Sequence, residues 1–300
     1  MAVSQKNRRI RLSSGRYVDA RGEQARSPHT GQAEPHTVPP APRVTADERS
    51  RTIGRALQGA SVLLLGAGSV GSHAGLRLAE MGYDLAAVDR DTVEASNIEG
   101  GRTAYPKSMV GMPKAIALAH IVREQELDVS VHPFYRSIDG FTDEELIAMA
   151  LGSAAVVAAF DDPAQLFRLN ALIYRTCQVV YPAFHAGARS AHVVFTVPGG
   201  PCFECALGAT SSDDLTTLHG ERALPLDIQQ LSQVAVRVVL ALTSPGVPEL
   251  DGLLHRDRNV VFINNRPFGQ QGGELVSSQL EVEPNPRCPV CGPFTDRERR

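Results

Sequence analysis

The apolar positions in the middle of this chain form short runs that alternate with amphipathic segments. The first run, 61–65, is apolar almost throughout, which is typical of a strand buried on both faces of a parallel sheet. Helical spacing follows up to about Met81, and Gly82 then acts as a stop signal. Further strands are predicted at 83–89, 129–134, 154–160 and 178–184, with helices beginning at 113, 142 and 163. This alternation predicts an α/β fold of the Rossmann-like, doubly wound kind with a mostly parallel sheet.

The pattern changes after residue 188. Strand-like runs lie at 191–197, 260–264 and 274–282, and a single apolar helix is predicted over 227–243, with Asp227 as its cap. We expect these strands to form a late antiparallel extension of the same sheet. No Gly/Pro-rich linker interrupts the chain after residue 45, so one domain is predicted over 45–295.

The first 44 residues have a different composition. They contain seven arginines and a polar, proline-rich stretch, which predicts a basic, disordered tail. As an alternative, 10–12 and 17–18 could pair as a hairpin across Ser13-Ser14-Gly15. A short helix is then predicted from Thr45, which has capping-box spacing to Glu48, up to Gln58.

Composition and charge exclude several classes of protein. The chain has 300 residues, 43% of them hydrophobic, and a formal net charge of −3, which argues against nucleic-acid and polybasic membrane binding. No apolar run is long enough to span a membrane, and the N-terminus lacks the apolar stretch of a signal peptide. A cytoplasmic location is therefore expected, with neither nucleic acid nor membrane as partner.

A glycine-rich motif lies between the first predicted strand and its helix. Gly66, Gly68 and Gly71 form a G-x-G-x-x-G pattern, in which backbone amides and the helix N-terminus can approach a phosphate. Asp89 ends the next strand, where a carboxylate can accept hydrogen bonds from ribose hydroxyls. These residues suit NAD, FAD and ATP equally, and the alternative is that the glycines serve only a tight turn.

Five cysteines are too few for a disulfide scaffold in a chain of this length, but four of them stand in two C-x-x-C pairs. Cys202, Cys205, Cys288 and Cys291 are predicted to hold a structural zinc ion, with a redox dithiol as the alternative. A closed four-thiolate site leaves no open position for catalysis. The fifth cysteine, Cys177, is predicted to be an inert core residue.

Several motifs together resemble the ThiF/MoeB/HesA family, relatives of the ubiquitin-activating enzymes. They are the D-x-D-x-V-x-x-S-N stretch from Asp89 to Asn97, the G-x-P-K of Gly111–Lys114, Phe160-Asp161-Asp162 with Asn170, the P-G-G-P-C-x-x-C ending at Cys205, and the final C-P-V-C-G. The resemblance covers about residues 57–292, nearly the whole predicted domain.

The resemblance implies a homodimeric enzyme that uses ATP and Mg²⁺ to adenylate the C-terminal carboxylate of a ubiquitin-like, β-grasp protein. Acyl-AMP and pyrophosphate would form, for conjugation or for sulfur transfer, with a conjugating enzyme or a sulfur donor as a further partner. It also implies that Asp89 holds ribose with Asp91 beside the nucleotide, that Asn97 and Lys114 contact phosphates, and that Asp161 binds Mg²⁺. The alternative for Asp161 is that it only caps the helix beginning at Pro163.

The chain departs from the family at two arginines. Gly100 stands where the family has the first, and Arg102 is expected to supply the guanidinium instead. The second arginine would come from the N-terminal helix and reach across the dimer. Arg49, Arg51 and Arg55 are candidates, although each could be an ordinary solvated surface residue.

The polar loop after the first cysteine pair contains no cysteine that could carry an acyl group. The protein could stop at the adenylate. Alternatively, a hydroxyl of Ser211, Ser212, Thr216 or Thr217 could accept the acyl group with His219 as base, or Cys177 could be exposed after all. Other functions also stay open: adenylation of a short peptide of the microcin type, a catalytically decayed scaffold, or an NAD-dependent oxidoreductase.

Overall fold

Eight strands form one sheet in the computed structural model of the chain. They are β1 Ser61–Leu65, β2 Asp84–Asp89, β3 Val131–Tyr135, β4 Ala155–Ala158, β5 Val179–Phe184, β6 Ser190–Thr196, β7 Arg258–Asn264 and β8 Val276–Glu281. The helices are α1 Ser69–Glu80, α2 Ala95–Ile98, α3 Lys114–Glu124, α4 Asp143–Leu151, α5 Pro163–Ile173, α6 Phe203–Leu207 and α7 Pro225–Thr243. Short 3-10 turns lie at Glu99–Gly101, Lys107–Met109 and Ile138–Gly140.

The structure describes residues 59–185, 190–208, 223–245, 258–264 and 276–292, with isolated positions at 10–11, 17–18, 24–25, 53–54, 57, 188, 247, 250 and 254. Most of the predicted tail and most of the predicted helix over 45–58 lie outside these residues. Ile53 and Leu57 belong to the described part and are buried in the core.

The strand order confirms the predicted fold class. Along the sheet the order is β8-β7-β6-β5-β4-β1-β2-β3. The five strands from β5 to β3 run parallel, and β6, β7 and β8 are antiparallel to their neighbours. The chain winds in opposite directions from β1, towards β2 on one side and β4 on the other. A crevice forms at such a switch point outside the carboxyl ends of the strands, where ligands bind in this class of fold.

Both faces of the central strand are buried, as its continuous apolar run predicts. Val62 and Leu64 pack with α1, α3 and α7 on one face of the sheet. Leu63 and Leu65 pack with α4, α5 and α6 on the other face. The central strand is therefore held from both sides, and the loop that follows it has a fixed starting point.

Two local predictions are wrong. Helix α7 begins at Pro225 with Leu224 as the N-cap residue, so Asp227 lies in the first turn and does not cap the helix. Proline at the first helical position explains the earlier start, because its missing N–H has no partner there in any case. The first cysteine pair was expected in a loop, but Cys202 is the N-cap residue of α6 and Cys205 lies within this short helix.

The alternative hairpin near the N-terminus is present as backbone pairing. Ile10 pairs with Val18 and Arg11 with Tyr17, in antiparallel register. A third two-residue strand, Gln24–Ala25, pairs with Tyr17–Val18. Disorder of the remaining tail stays a prediction, because those residues lie outside the described part.

None of the described helices combines the length and the apolar character needed to cross a bilayer.

Candidate active site

A cavity of about 340 Å³ opens at the carboxyl ends of β1, β2, β4 and β5, at the switch point of the sheet. It brings together eight of the residues that the sequence singled out: Gly66, Gly68, Asp89, Asp91, Asn97, Arg102, Lys114 and Asp161. The opposite wall is apolar and includes Pro182, Phe184 and Ile228. The candidate nucleotide-binding residues therefore converge on one cavity.

The three glycines of the loop have different roles. Gly66 has φ +90°, and a Cβ there would lie 2.5 Å from Ala159 O. A Cβ at Gly71 would lie 2.0 Å from Gly66 O, so these two glycines allow the loop to close on itself and on β4. Gly68 is the N-cap residue of α1, and a Cβ there would meet no non-neighbouring atom within 4 Å. The tight-turn explanation therefore fits the first and third glycines, while the second lines open space.

The Asp89 carboxylate supports the backbone around it. Its Oδ2 accepts a hydrogen bond from Ala67 N at 2.6 Å, and its Oδ1 accepts one from Asp91 N at 2.8 Å. Burial raises the pKa of Asp89, although these two hydrogen bonds oppose the shift. Each carboxylate oxygen has a second lone pair, so Asp89 could still accept a hydroxyl from the cavity.

Lys114 is held at the cavity by local backbone pairing. Its N–H donates to Asp91 O at 2.9 Å, and Val93 N donates to Met112 O at 2.8 Å. These bonds bring the two segments side by side, and Lys114 Nζ then lies 2.8 Å from Asp91 Oδ2. Lys114 is buried except at this wall, which argues against an ordinary surface lysine.

Asn97 reaches the cavity from α2, and Arg102 reaches it from the end of the 3-10 turn that follows. The Asn97 side chain accepts a hydrogen bond from Glu94 N at 3.1 Å, and the Arg102 guanidinium donates to Ser96 O. Gly100, at the family's arginine position, has φ +73° and belongs to the turn itself. Arg102 nevertheless lines the cavity, two residues later.

The neighbouring residue Asp162, and not Asp161, caps helix α5. Asp162 is the N-cap residue, and its Oδ1 accepts a hydrogen bond from Gln165 N at 3.2 Å. The alternative role of Asp161 as the helix cap is therefore wrong. Asp161 lines the main cavity and also a second, smaller one.

The second cavity, of about 100 Å³, shares Gly66, Asp89, Asp91, Phe160 and Asp161 with the first. Its other walls are formed by Asp162, which belongs to the Phe160-Asp161-Asp162 motif, and by residues that the sequence reasoning did not place at a site: Leu65, Val88, Arg90, Arg136, Ser137, Ile138, Asp139 and Gln165. A signal for the stretch 136–139 was available. It follows directly after β3, whose carboxyl end must lie at the same edge of the sheet as those of β1 and β2.

The two cysteine pairs meet as predicted. All four sulfur atoms of Cys202, Cys205, Cys288 and Cys291 lie within 4.8 Å of one another. Backbone N–H groups of Asn285 and Val290 point at Cys205 Sγ and Cys288 Sγ, at 3.3 and 3.4 Å. Four thiolate sulfur atoms could ligate a tetrahedral zinc ion, and backbone N–H groups directed at two of them are typical of such sites. This cluster contributes no residue to either cavity, as expected for a structural site.

Asn170 connects the cysteine cluster with α5. The side chain is fully buried, its Oδ1 accepts a hydrogen bond from Phe203 N at 3.2 Å, and its Nδ2 donates to Glu204 Oε1 at 3.3 Å. Asn170 therefore fixes α6 against α5 and does not line either cavity.

Cys177 has the properties of an inert core residue. Cys177 is buried, and burial raises the pKa of its thiol to about 11. It lies just before β5 and so at the amino ends of the parallel strands, whereas the cavity lies at their carboxyl ends. The alternative that Cys177 accepts an acyl group therefore has no geometric support. The hydroxyls of the polar loop and the arginines of the N-terminal helix lie outside the described residues.

Comparisons with known proteins agree with this architecture. The SAMP-activating enzyme E1 of Haloferax volcanii is 28% identical over 233 residues, which are 77% of this chain and 80% of that protein. The adenylyltransferase and sulfurtransferase MOCS3 of Dictyostelium discoideum is 25% identical over 237 residues, and the match spans only 52% of its length. A crystal structure of Escherichia coli MccB with ATP superposes with a TM-score of 0.63 at 18% identity, covering 81% of this chain and 69% of MccB.

The similarity to MccB shows the fold alone, because the sequence identity is low. The family itself is shown by the sequence: the family model described as ThiF family matches residues 48–241. This range covers well over half of the chain and includes the glycine loop, Lys114, Asp161 and the first cysteine pair. The chain belongs to the ThiF family.

Proposed function

We propose that this protein adenylates the C-terminal carboxylate of a ubiquitin-like protein, consuming ATP and releasing pyrophosphate. The relatives named above are an E1 that activates SAMP and an adenylyltransferase, which supports this class of reaction over the NAD-dependent oxidoreductase alternative. A thin, flexible Gly-Gly tail would suit a cavity that opens at the loops after the carboxyl ends of the strands.

The observation that carries the proposal is the position of Lys114 and Asp161 in the same cavity as Gly68. Adenylation brings a carboxylate against the α-phosphate of ATP, so two anions must approach each other while negative charge accumulates on phosphate oxygens. Catalysis of such a step depends mainly on positioning and on electrostatic stabilisation. Three groups of this cavity meet these requirements: the Lys114 ammonium, the Gly68 N–H at a helix start, and the Asp161 carboxylate, which suits a divalent cation.

The remaining wall residues take roles consistent with their positions. Asp89 would accept hydrogen bonds from ribose, and the second cavity beside it would take the base. Asn97, Arg102 and Lys114 would contact phosphates, with Asp91 beside them. The solvent-exposed carboxylate of Asp161 offers hard oxygen ligands at the cavity wall, which fits Mg²⁺. When bound, Mg²⁺ would neutralise charge on the phosphate oxygens.

The acyl adenylate would be attacked by a group from another protein. All five cysteines lie in the described part of the chain. Four form the cysteine cluster, and Cys177 lies at the amino ends of the parallel strands, away from the cavity. A thiol of a sulfur donor or of a conjugating enzyme is therefore the proposed acceptor. An oxyester on Ser211, Ser212, Thr216 or Thr217 is the competing proposal, and a hydroxylamine-labile, thiol-resistant adduct would support it.

We also infer a homodimer, in which an arginine of the N-terminal helix completes the partner's cavity. Arg49, Arg51 and Arg55 are the candidates. Sedimentation of the purified protein at two concentrations tests the dimer. Mixing two separately inactive variants, Asp161→Ala and a variant lacking all three arginines, tests the exchange of side chains between subunits, since one complete site should reappear.

ATP–pyrophosphate exchange tests the proposed reaction. Exchange is expected with a ubiquitin-like protein ending in Gly-Gly and is expected to vanish when its C-terminal carboxylate is converted to an amide. Exchange with a short peptide carboxylate but not with the ubiquitin-like protein would instead establish peptide adenylation. ATP binding without exchange for any of these acids would support the decayed scaffold.

A further inference from the structure

Tyr105 is a buried tyrosine beneath the glycine loop, between that loop and the start of α3. Its side chain is 3% exposed. The hydroxyl lies 2.7 Å from Ala67 O and 3.2 Å from Lys114 O. Burial raises the pKa of Tyr105 well above its ordinary value, with the nearby Asp89 charge acting in the same direction. The hydroxyl therefore stays protonated, and its single proton is donated mainly to Ala67 O.

Both backbone polar groups of Ala67 are thus held by side chains from outside the loop. Asp89 accepts from its N–H and Tyr105 donates to its C=O. No cis peptide bond occurs in the described residues, so the C=O of Ala67 and the N–H of Gly68 point in opposite directions across their shared peptide plane. Fixing the carbonyl towards Tyr105 also fixes the direction of the Gly68 N–H.

The Gly68 side of this peptide faces the cavity. Gly68 lines it, whereas Tyr105 and Ala67 do not, and the space where a Cβ would project is open. A backbone N–H at the first turn of a helix is a favourable donor to a phosphate, because it adds to the positive end of the helix dipole.

We infer that Tyr105 is a positioning residue for phosphate: through Ala67 its hydroxyl directs the Gly68 N–H into the cavity. This inference rests on the proposed function, because it assumes that the cavity takes a nucleoside triphosphate. The sequence reasoning did not single out Tyr105, because nothing in the local pattern places its hydroxyl under a loop 38 residues earlier.

The test compares Tyr105→Phe with Tyr83→Phe. Both substitutions keep the aromatic ring and remove one hydrogen-bonded hydroxyl from a buried tyrosine, but Tyr83 bonds to Thr243 and contributes nothing to either cavity. The affinities for ATP and for adenosine are measured by calorimetry in the presence of Mg²⁺, with zinc content and melting temperature recorded for every variant. Adenosine serves as the probe because it carries the base and ribose but no phosphate.

Tyr105→Phe is expected to weaken ATP binding about tenfold, the effect of impairing one hydrogen bond to a charged group, and to leave adenosine binding within about twofold. Tyr83→Phe should leave both affinities unchanged. An equal loss for ATP and adenosine, or no loss for either, would overturn the inference while the proposed function stood. If the unsubstituted protein bound no ATP, the proposed function would fail first, and the inference with it.

Discussion

Lys114 Nζ lies 2.8 Å from Asp91 Oδ2, and only the aspartate of this ion pair is broadly open to solvent. The side chain of Lys114 is 11% exposed and that of Asp91 is 56% exposed. The pair is possible because the backbone of residues 91–93 runs beside that of residues 112–114. An ammonium group held at the cavity wall in this way is already in place for an incoming phosphate, and Asp91 limits its movement.

Removing the ammonium group should therefore remove catalysis. Lys114→Ala is expected to lower pyrophosphate exchange by at least about a hundredfold, the size of effect typical for a group that neutralises charge in the transition state. The control is Lys107→Ala, because Lys107 is exposed and contributes to neither cavity. Comparable exchange by the two variants would remove Lys114 from the mechanism.

Neighbouring aspartates offer a matched pair of variants. Asp161→Ala should abolish exchange while the melting temperature and the zinc content stay unchanged, because the side chain lines the cavity and does not cap α5. Asp162→Ala should lower exchange much less than Asp161→Ala, because Asp162 lines only the second cavity, but it should lose about 1 kcal/mol of folding stability, since it removes the N-cap hydrogen bond. Exchange rates and denaturant unfolding of both variants decide the assignment. A reversed pattern would make Asp162 the catalytic carboxylate.

The cysteine cluster should bind one zinc ion per chain. Cys288→Ser is expected to reduce zinc retention and to lower the melting temperature, because a hydroxyl is a poor substitute for a thiolate and the cluster joins distant parts of the chain. Cys177→Ala is the control, and it should retain the full zinc content. Elemental analysis and thermal unfolding provide the measurements. Equal zinc content in Cys288→Ser and the unsubstituted protein would contradict a four-thiolate site.

His192 should make stability depend on pH. It lies in β6, is 2% exposed, and burial lowers its pKa to about 3. In the unfolded chain the pKa of a histidine is about 6.5, so below that pH the unfolded state takes up a proton that the folded state does not. His192 therefore contributes stability above pH ~6.5 that is lost as the pH falls, by up to about 1.4 kcal/mol per pH unit.

Denaturant unfolding between pH 5 and pH 8 measures this effect. His192→Leu should show a shallower fall in the free energy of unfolding below pH 6.5 than the unsubstituted protein. His132→Asn, at an exposed histidine of β3, should keep the original slope. Identical slopes for all three proteins would show that His192 is protonated in the folded state.

Local signals in the sequence were sufficient for most of the fold. The apolar run of β1, the glycines after it and the Thr142–Glu145 capping box each act over a few residues, and the capping box is present with both hydrogen bonds. Helix α6 was missed because its five residues, which include Cys205, offer too few positions for helical periodicity. The start of α7 was placed at Asp227 without regard to Pro225, which occupies the first position of the helix.

The residues of the site were foreseen better than their interactions. The convergence of Asp89, Lys114 and Asp161 follows from the position of each at the carboxyl end of a parallel strand or at a helix start. The hydrogen bond from Ala67 N to Asp89 and the one from Tyr105 to Ala67 O depend on how distant segments pack, which no local pattern records. The second cavity was missed because Arg136 and Asp139 carry no motif of their own, although their position directly after β3 was a usable signal.

The cysteine cluster has a consequence for the order in which the protein is completed during synthesis. Cys202 and Cys205 leave the ribosome more than 80 residues before Cys288 and Cys291. The nascent chain can therefore assemble the parallel strands first, because domains fold from the N-terminus as they emerge. A metal ion held by all four cysteines could be enclosed only after β7 and β8 have been translated. Metal capture would then be a late step of maturation, and a ribosome-bound chain arrested before Cys288 is not expected to retain zinc.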